Sequence, residues 1–364
     1  PSSILIWEWV KVIMEILLLH TSNQNNCEMT LKIGLIGCSR VAKNKIIPAI
    51  NSLDFISIDA VGSRTNSKAK QYAKKIGCQT YGNYDDVFSA DIDCVYISLP
   101  DGLHEKWAIK AAEAGLHILC EKSSTTSYES AKKMVNACKL SNTRILECFS
   151  FRFHPQHTRV LELIKKNSLG DIHNFIGNFG YPKPENNNIR LKKELGGGIL
   201  NDACCYPICA SRIIFNEEPI GVMSNLIIDP VLDVDISASV FLMYDKKNAY
   251  AESGFDRNFK SNYEIWGSKG NIKLNRAYAV PKNFETELHI TKNDSIEIMK
   301  LEPVDQTAIM FKTFYEEISK IKKSNFDFEA DLLKQAKILE AARLSNKKKK
   351  FIYLEEISEY NNNQ

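Results

Sequence analysis

The hydrophobic pattern in the first part of the chain alternates between short apolar runs and stretches with helical periodicity. The apolar runs predict strands at Leu31–Ile36, Ile56–Val61, Asp91–Leu99, His117–Cys120 and Arg144–Phe151. The periodic stretches predict helices at Val41–Asn51, Asn66–Lys75, His104–Gly115 and Tyr128–Leu140. Because alternating strands and helices are joined by right-handed crossovers, this part predicts a parallel sheet covered on both faces.

A different pattern follows residue 150. Two helical stretches, Gln156–Lys166 and Asn201–Phe215, accompany a series of strand-like segments. These segments are Ile172–Tyr181, Gly221–Ile228, Ile236–Tyr244, Ala249–Phe255, Ser261–Trp266, Asn271–Leu274 and Glu287–Ile290. Apolar and polar residues alternate in several of them, which predicts an antiparallel or mixed sheet with one exposed or partner-covered face. Helical stretches at Thr307–Lys322 and Glu329–Ser345 close the chain.

The length of 364 residues favours two domains. We place one domain at residues 29–150 and a second at residues 151–355, where the pattern changes. Residues 1–28 are interpreted as an upstream leader of doubtful origin outside the core, with a docked amphipathic helix as the second interpretation. Residues 356–364 are expected to be a flexible tail.

Composition narrows the classes of partner. A net charge of +3 gives no reason to expect nucleic-acid binding, and Glu8, Lys11 and Glu15 interrupt the apolar leader, so no membrane span is expected. The 10 cysteines follow no paired spacing, which indicates reduced thiols and a cytoplasmic protein. The absence of C-x-x-C and H-E-x-x-H motifs predicts no structural metal.

Candidate cofactor chemistry begins at the turn after the first predicted strand, Gly37-Cys-Ser-Arg-Val-Ala42. This turn resembles the dinucleotide fingerprint, in which glycines permit a tight turn and a helix N-terminus holds the pyrophosphate. Gly37, Ser39, Arg40 and Ala42 are therefore candidate cofactor-binding residues. Ser39 replaces the middle glycine, and its side chain leaves the backbone less room to approach the dinucleotide.

The second predicted strand ends at Ser63-Arg64. An NAD site usually places Asp or Glu there to bind the ribose hydroxyls, whereas an arginine suits a 2′-phosphate. Lys68, one helical turn further on, adds positive charge. The pattern predicts NADP, with NAD possible, and the alternative is a surface arginine without a ligand.

Two more motifs follow apolar strands, where ligands bind in open α/β sheets. They are Pro100-Asp-Gly-Leu-His104 and Cys120-Glu-Lys-Ser123, and Pro100, His104, Glu121 and Lys122 are candidate cofactor-binding residues. A lysine at this place can hold a substrate hydroxyl or lower the pKa of a nearby tyrosine. The alternative is a surface Glu-Lys pair.

A glycine-rich stretch, Glu194 to Pro207, combines Gly196-Gly-Gly198 with a helical pattern. On a helix Asp202 and Tyr206 are four residues apart and point from one face. A carboxylate and a phenol beside a glycine loop form a plausible proton-handling pair. The alternative is a turn followed by a core helix with two polar residues.

Together these motifs resemble the glucose–fructose oxidoreductase, inositol dehydrogenase and rhizopine-catabolism (Gfo/Idh/MocA) family. The resemblance runs from about Leu31 to Phe351. It also includes Phe151-Arg-Phe-His-Pro155, Arg190-Leu and Trp266-Gly-Ser-Lys-Gly270, in the family's order. Around Arg152, Arg190 and Tyr206 the sequence is most similar to the NADP-linked xylose dehydrogenase and dihydrodiol dehydrogenase branch of the family.

The resemblance implies an α/β fold of two domains. Residues 29–150 would form an N-terminal Rossmann domain that binds the dinucleotide, and residues 151–355 a C-terminal α/β domain that binds substrate and mediates oligomerisation. The large open sheet of the second domain is mostly antiparallel in the family and often makes a homodimer or homotetramer interface. It implies hydride transfer between NADP and a sugar, polyol or nucleotide-linked sugar. Lys122 and Tyr206 match the catalytic pair, and Asp202 matches the supporting acid. Tyr206 and Lys122 are alternative acid/base groups. Arg152, Asp202 and Tyr206 are expected to bind substrate, although Arg152 is equally open to a structural role.

Departures from the family pattern carry expectations of their own. In the family a proline usually follows Glu-Lys, and the peptide bond before that proline is often cis. Ser123 occupies this position here, so either the cis bond is retained or Lys122 is displaced. Cys204 stands at a usual glycine and is expected to narrow the substrate pocket. Asp101 replaces a common asparagine.

Two alternative functions remain open within the same fold. One is a glycosidase that uses tightly held NAD, which Ser63-Arg64 disfavours. The other is a non-catalytic regulator that binds a dinucleotide as a signal, which the joint presence of Lys122, Asp202 and Tyr206 disfavours.

Overall fold

The computed structural model describes residues 30–293 and 295–357. The first part of this range forms a six-stranded sheet. Its strands are β1 Leu31–Ile36, β2 Ile56–Gly62, β3 Thr80–Gly82, β4 Cys94–Ile97, β5 His117–Cys120 and β6 Ile145–Glu147. The strands lie in the order β3-β2-β1-β4-β5-β6, and all five neighbouring pairs are parallel.

Helices connect these strands in the expected alternation. Ala42–Ile46 forms a π-helical turn, and it continues into α1 Ile47–Ile50. The next helices are α2 Asn66–Ile76, α3 Tyr84–Phe88, α4 His104–Glu113 and α5 Tyr128–Leu140. Strands β4 and β5 are wholly or almost wholly buried, as expected for a sheet covered on both faces.

A second sheet of nine strands follows. Its strands are β7 Ile172–Gly180, β8 Gly221–Ile228, β9 Asp235–Met243, β10 Asn248–Gly254, β11 Lys260–Gly267, β12 Gly270–Leu274, β13 Thr286–Lys292, β14 Ser295–Leu301 and β15 Ile352–Tyr353. The order is β14-β13-β12-β11-β7-β10-β9-β8-β15. The β7–β10 pair is parallel and the other described pairs are antiparallel, so the sheet is mixed but mostly antiparallel.

Helices of the second half are α6 Pro155–Lys165, α7 Cys205–Phe215, α8 Gln306–Ile318 and α9 Phe328–Lys348. Helix α7 lies in the hydrophobic core beneath the second sheet. Met310, Phe311 and Phe314 of α8, by contrast, lie in the core of the first sheet together with Phe328 of α9. The end of the chain therefore folds back onto the first sheet and holds the two sheets together.

The α/β fold class predicted from the sequence is confirmed, while several boundaries differ. The predicted helix Val41–Asn51 begins as a π-helical turn, and the predicted strand Arg144–Phe151 is extended only at β6. Strands β3 and β14 and helix α3 were not predicted. Each is short or lacks a buried apolar face, so hydrophobic periodicity gives no signal for them.

The predicted leader, residues 1–28, and most of the predicted tail, residues 356–364, lie outside the described residues. Within the described ranges no helix is both long and apolar enough to cross a membrane.

Candidate active site

The turn between β1 and the first helix is tightly packed. Gly37 has φ of +106°, and a Cβ atom there would lie 2.9 Å from Leu99 Cδ2. Glycine is therefore required both by the backbone conformation and by space. The Ser39 hydroxyl accepts a hydrogen bond of 2.9 Å from the Ala42 amide, so the serine closes the turn from within.

His104 ties together the ends of two strands. It is fully buried, with Nε2 2.8 Å from the Leu99 carbonyl oxygen and Nδ1 3.1 Å from the Ser123 carbonyl oxygen. Burial lowers the pKa of this imidazole. His104 thus fixes the segment that carries Lys122.

Lys122 reaches Asp202 across the interface between the two sheets. Its ammonium group donates to the Asp202 carbonyl oxygen at 2.6 Å and to Oδ1 at 3.1 Å. The Lys122–Ser123 peptide is cis, and the Ser123 hydroxyl donates to the Asn201 carbonyl oxygen at 3.0 Å. Of the two outcomes expected at Ser123, the structure has the retained cis bond, with Lys122 pointing to Asp202.

Asp202 is a centre of charge-assisted contacts. Arg190 Nε donates to Oδ2 at 2.8 Å, and the Tyr181 hydroxyl also donates to Oδ2. Burial alone would raise the pKa of Asp202, but Lys122 and Arg190 hold it well below the usual range. Burial likewise opposes the charge on Lys122, and Asp202 nevertheless raises the pKa of Lys122 well above its usual value. Both groups are therefore ionised at neutral pH.

Tyr206 lies in an aromatic box beside Lys122. Its ring centroid is 5.1–5.7 Å from the rings of Phe149, Phe151, Phe179 and Tyr278. Lys122 Nζ lies 5.2 Å from the centroid of the Tyr206 ring. Burial raises the pKa of Tyr206, and Lys122 lowers it by less than burial raises it. Lys122 acts in the expected direction, yet the phenol is neutral near pH 7.

The glycine-rich loop packs against protein on several sides. Gly196 has φ of +80°, and a Cβ atom there would lie 2.8 Å from the Gly102 amide nitrogen. Gly198 has φ of +126°, and its Cβ would lie 2.2 Å from Asp235 Oδ1. These glycines place a π-helical turn, Leu200–Cys204, which carries Asp202 toward Lys122.

Two adjoining cavities meet at Lys122. The first, here called the turn cavity, has a volume of about 170 Å³ and lies between the β1 turn and the glycine loop. The second, the tyrosine cavity, has a volume of about 350 Å³ and extends past Tyr181 and Tyr206. The residues lining both are Val41, Glu121, Lys122, Arg190 and Asp202.

Several predicted site residues line these cavities. Those at the turn cavity are Ser39, Arg40, Pro100, Glu121, Lys122 and Asp202, and those at the tyrosine cavity are Glu121, Lys122, Asp202 and Tyr206. Glu121 also accepts a hydrogen bond from the Tyr96 hydroxyl. Gly37, Ala42 and His104 line neither cavity, and Ala42 and His104 are fully buried.

Ser63 and Lys68 lie beside the turn at Cys38. Burial raises the pKa of the Cys38 thiol, while a hydrogen bond with Ser63 and the charge of Lys68 lower it. Ser63 is buried, whereas Arg64 and Lys68 are exposed and form no ion pair with a carboxylate of the described residues.

Arg152 lies away from both cavities. It pairs with Asp331, and its guanidinium carbon lies 3.8 Å from the centroid of the Phe326 ring. Arg212 Nη2 donates to the other Asp331 oxygen at 3.0 Å. These contacts join the segment after β6 to helices α7 and α9, so the structure favours the structural alternative for Arg152.

The expectation that Cys204 narrows the substrate pocket is corrected. Cys204 is fully buried in the core of the second sheet, and its thiol faces the Ala251 carbonyl oxygen at 3.9 Å. It lines neither cavity. The π-helical turn aims Asp202 at the cavities, while Cys204 faces β10.

Sequence reasoning missed the roles of Tyr181 and Arg190 at Asp202. Arg190 was noted only as a family motif, and Tyr181 only as the end of a strand. A tyrosine directly after a buried strand, at an edge that carries other polar groups, is the signal that could have drawn attention to it.

Asp101 lines the turn cavity, and burial raises its pKa to about 7.

Among the described residues, no cluster of three or more His, Cys, Asp or Glu side chains could hold a metal ion.

Family models match both halves of the chain. Residues 31–148 match the oxidoreductase family with an NAD-binding Rossmann fold, and residues 157–273 match the GFO/IDH/MocA C-terminal domain. The dTDP-3,4-didehydro-2,6-dideoxy-alpha-D-glucose 3-reductase of Saccharopolyspora spinosa is 31% identical over 79% of this chain and 87% of its own length. The chain belongs to the Gfo/Idh/MocA oxidoreductase family. The family and the oxidoreductase class predicted from the sequence are confirmed.

Other members of the family are similar over most of their length. The D-xylose 1-dehydrogenase (NADP(+)) 2 of Haloferax volcanii is 30% identical over 76% of this chain and 85% of its own length. A solved structure of KijD10, a 3-ketoreductase from Actinomadura kijaniata in complex with NADP and TDP-benzene, has a TM-score of 0.83 at 28% identity. That likeness covers 86% of this chain and 97% of the KijD10 chain.

Proposed function

We propose that this protein is an NADP-dependent oxidoreductase that transfers hydride between the nicotinamide and a hydroxyl or carbonyl group of a sugar. The observation that carries the proposal is the position of Lys122, Asp202 and Tyr206. Lys122 and Asp202 lie where the two cavities meet, and Tyr206 lines the tyrosine cavity. The Saccharopolyspora reductase and the Haloferax dehydrogenase, which act on a nucleotide-linked sugar and on xylose, support the substrate class.

The turn at β1 fits a dinucleotide. A Cβ atom at Gly37 would lie 2.9 Å from Leu99 Cδ2, so glycine keeps this part of the turn open. Ser39 and Arg40 line the turn cavity. The exposed Arg64 and Lys68 are free to hold a 2′-phosphate, because no described carboxylate pairs with them. When bound, the dinucleotide supplies or accepts a hydride.

The protein's own residues manage the proton and the charge. In the reducing direction, the neutral Tyr206 hydroxyl donates a proton to the carbonyl oxygen of the substrate. The Lys122 ammonium stabilises the negative charge that develops on that oxygen. Asp202 keeps Lys122 charged, while Arg190 and Tyr181 hold the Asp202 carboxylate in place. Since burial keeps the phenol protonated, the site is prepared for reduction at neutral pH.

The experiment that tests the proposal is a spectrophotometric screen of the purified protein. Aldoses are offered with NADP⁺, and keto sugars, free and nucleotide-linked, are offered with NADPH. We expect turnover with at least one sugar and a preference for NADPH over NADH. Tight NADPH binding without any sugar-dependent turnover would favour a dinucleotide-binding regulator instead.

We further propose that two or four copies assemble through the outer face of the second sheet. Met223, Phe241, Tyr250 and Ile176 are cross-strand neighbours on four adjacent strands, and each is 37–48% exposed. A continuous apolar row of this kind is typical of an interaction surface.

A cytoplasmic location is proposed from the cysteines. Nine cysteines within the described residues are free, and eight of these nine are buried. Free thiols in this number are typical of reducing compartments.

A further inference from the structure

A third cavity adjoins the tyrosine cavity and shares no lining residue with the turn cavity. We call it the lysine cavity, and its volume is about 250 Å³. It shares Lys45 and Thr307 with the tyrosine cavity, so the two form one continuous depression. The depression therefore extends beyond the cavity that Tyr206 lines and leaves room for a group attached to a sugar.

The charged groups of the lysine cavity are mostly cationic. Lys45 and Lys282 line it, and neither side chain forms an ion pair or a hydrogen bond within the described residues. Burial raises the pKa of the nearby Glu121, and the charge of Lys45 is among those that lower it. Asp305 also lines it, but its carboxylate caps α8 by accepting from the Thr307 and Ala308 amides at 2.9 and 3.1 Å. Two lysines without an ion-pair partner in the described residues therefore face a cavity whose single lining carboxylate, Asp305, already caps a helix N-terminus.

A buried acceptor lies in the same wall. Gln306 is 4% exposed, and its Oε1 atom has no hydrogen-bond partner. Buried polar atoms in folded proteins are normally paired, so an unpaired acceptor beside a cavity is suited to a ligand hydroxyl. This observation is independent of the lysines.

Two exposed phenylalanines lie close to Arg276, and one of them lines the tyrosine cavity. Phe259 lines the tyrosine cavity and is 41% exposed, and Phe284 is 42% exposed. The Arg276 guanidinium lies between them, 4.5 Å from the Phe259 ring centroid and 5.5 Å from that of Phe284. Its side chain makes no ion pair among the described residues, and its Nε atom is buried without a partner. A planar aromatic and guanidinium surface of this kind is one on which nucleobases stack.

We infer that the substrate is a sugar linked to a nucleoside diphosphate, with the diphosphate at Lys45 and Lys282 and the base against Phe259. The inference rests on the proposed function, because the sugar must reach Lys122 and Tyr206. Lysine ammonium groups neutralise phosphate oxygens, Gln306 accepts a hydrogen bond from a ligand hydroxyl, and the tyrosine cavity receives the sugar. The arrangement makes no distinction among bases.

The test is calorimetric titration of NADPH-saturated protein with thymidine diphosphate. Saturation keeps the probe out of the dinucleotide site. We expect thymidine diphosphate to bind at least about tenfold more tightly than thymidine or inorganic phosphate alone, since charge-assisted contacts add to stacking.

Matched variants locate the site. Lys45→Ala and Lys282→Ala are each expected to weaken thymidine diphosphate binding by roughly 5- to 10-fold, with NADPH affinity unchanged. Lys43→Ala is the control, because Lys43 is an exposed lysine on the same helical turn and lines none of the three cavities. Its affinity for the probe should equal that of the wild type. Phe259→Ala should weaken the binding of thymidine diphosphate but not of inorganic phosphate.

The possible failures are distinguishable. Normal NADPH binding and turnover of a free aldose, together with thymidine diphosphate binding no tighter than its parts, would overturn this inference and leave the proposed function standing. Equal binding by the Lys45→Ala, Lys282→Ala and Lys43→Ala proteins would overturn the assignment of the cavity. Absence of NADPH binding would overturn the proposed function and, with it, this inference.

Discussion

Asp202 shows how single residues set the chemistry of the site. Its two carboxylate oxygens are divided between Lys122 on one side and Arg190 and Tyr181 on the other. Motif spacing and the family resemblance together made Lys122, Asp202 and Tyr206 candidates, and the structure places Lys122 within 5.2 Å of the Tyr206 ring centroid and 3.1 Å from Asp202 Oδ1. These signals were not enough for Arg190 and Tyr181, because their contacts with Asp202 depend on how a loop and a strand end fold together.

Asp101 carries a pH-dependent prediction. Burial raises its pKa to about 7 in the folded protein, against about 4 for an unperturbed aspartate. Between these values the folded state binds the proton more tightly than the unfolded chain does, so the free energy of unfolding falls as the pH rises. We expect Asp101→Asn to remove this part of the decline between about pH 4 and pH 7 in urea unfolding. The exposed Asp171→Asn variant should follow the wild type, and an Asp101→Asn profile parallel to wild type would refute the role.

Arg64 carries the prediction on cofactor choice. If its guanidinium holds the 2′-phosphate, Arg64→Ala should weaken NADPH binding by about tenfold or more while NADH binding changes little. Fluorescence titration of both cofactors measures the difference. Equal losses of affinity for NADPH and NADH would show that Arg64 does not bind the 2′-phosphate.

At the scale of elements, the glycine loop determines where the π-helical turn places Asp202. The sequence indicated a glycine-rich loop at Gly196-Gly-Gly198, followed by a helical stretch. It did not indicate which surfaces the loop approaches, since Asp235 and Gly102 come from distant parts of the chain. Local pattern predicts conformation, whereas the contacts that require glycine are tertiary.

Gly198→Ala tests the loop. Its Cβ would lie 2.2 Å from Asp235 Oδ1, while Asp235 Oδ2 accepts from the Leu200 amide at 2.5 Å. The control is Gly77→Ala, because Gly77 also has positive φ, +75°, but has nothing within 4 Å of its Cβ. We expect Gly77→Ala to cost about 1 kcal/mol in stability and Gly198→Ala at least about twice that, with a fall in turnover. Equal losses of thermal stability would contradict the close contact.

At the scale of the whole molecule, the second sheet has one face in the core and one apolar row outside. The sequence predicted an exposed or partner-covered face from alternation in Ile236–Val240. It could not predict that α8 and the start of α9 return to the core of the first sheet, because amphipathic periodicity does not specify a partner.

A charged substitution within this apolar row tests whether the protein assembles through it. Phe241→Asp places a carboxylate among Met223, Tyr250 and other apolar side chains, where burial in an interface would be unfavourable. Sedimentation velocity should show dimers or tetramers for the wild type and a shift toward monomers for Phe241→Asp. As a control, Lys269→Asp alters an exposed charge outside the row and should leave the assembly unchanged. The same mass for wild type and Phe241→Asp would contradict this interface.

The most direct test of the central claim is the steady-state rate of NADP-dependent turnover for wild type and Tyr206→Phe, with the best sugar found in the screen. Loss of the proton donor should reduce kcat by at least about 10²-fold, while the affinity for NADPH stays nearly unchanged. A Tyr206→Phe protein that turns over at close to the wild-type rate would contradict the assignment of the active site.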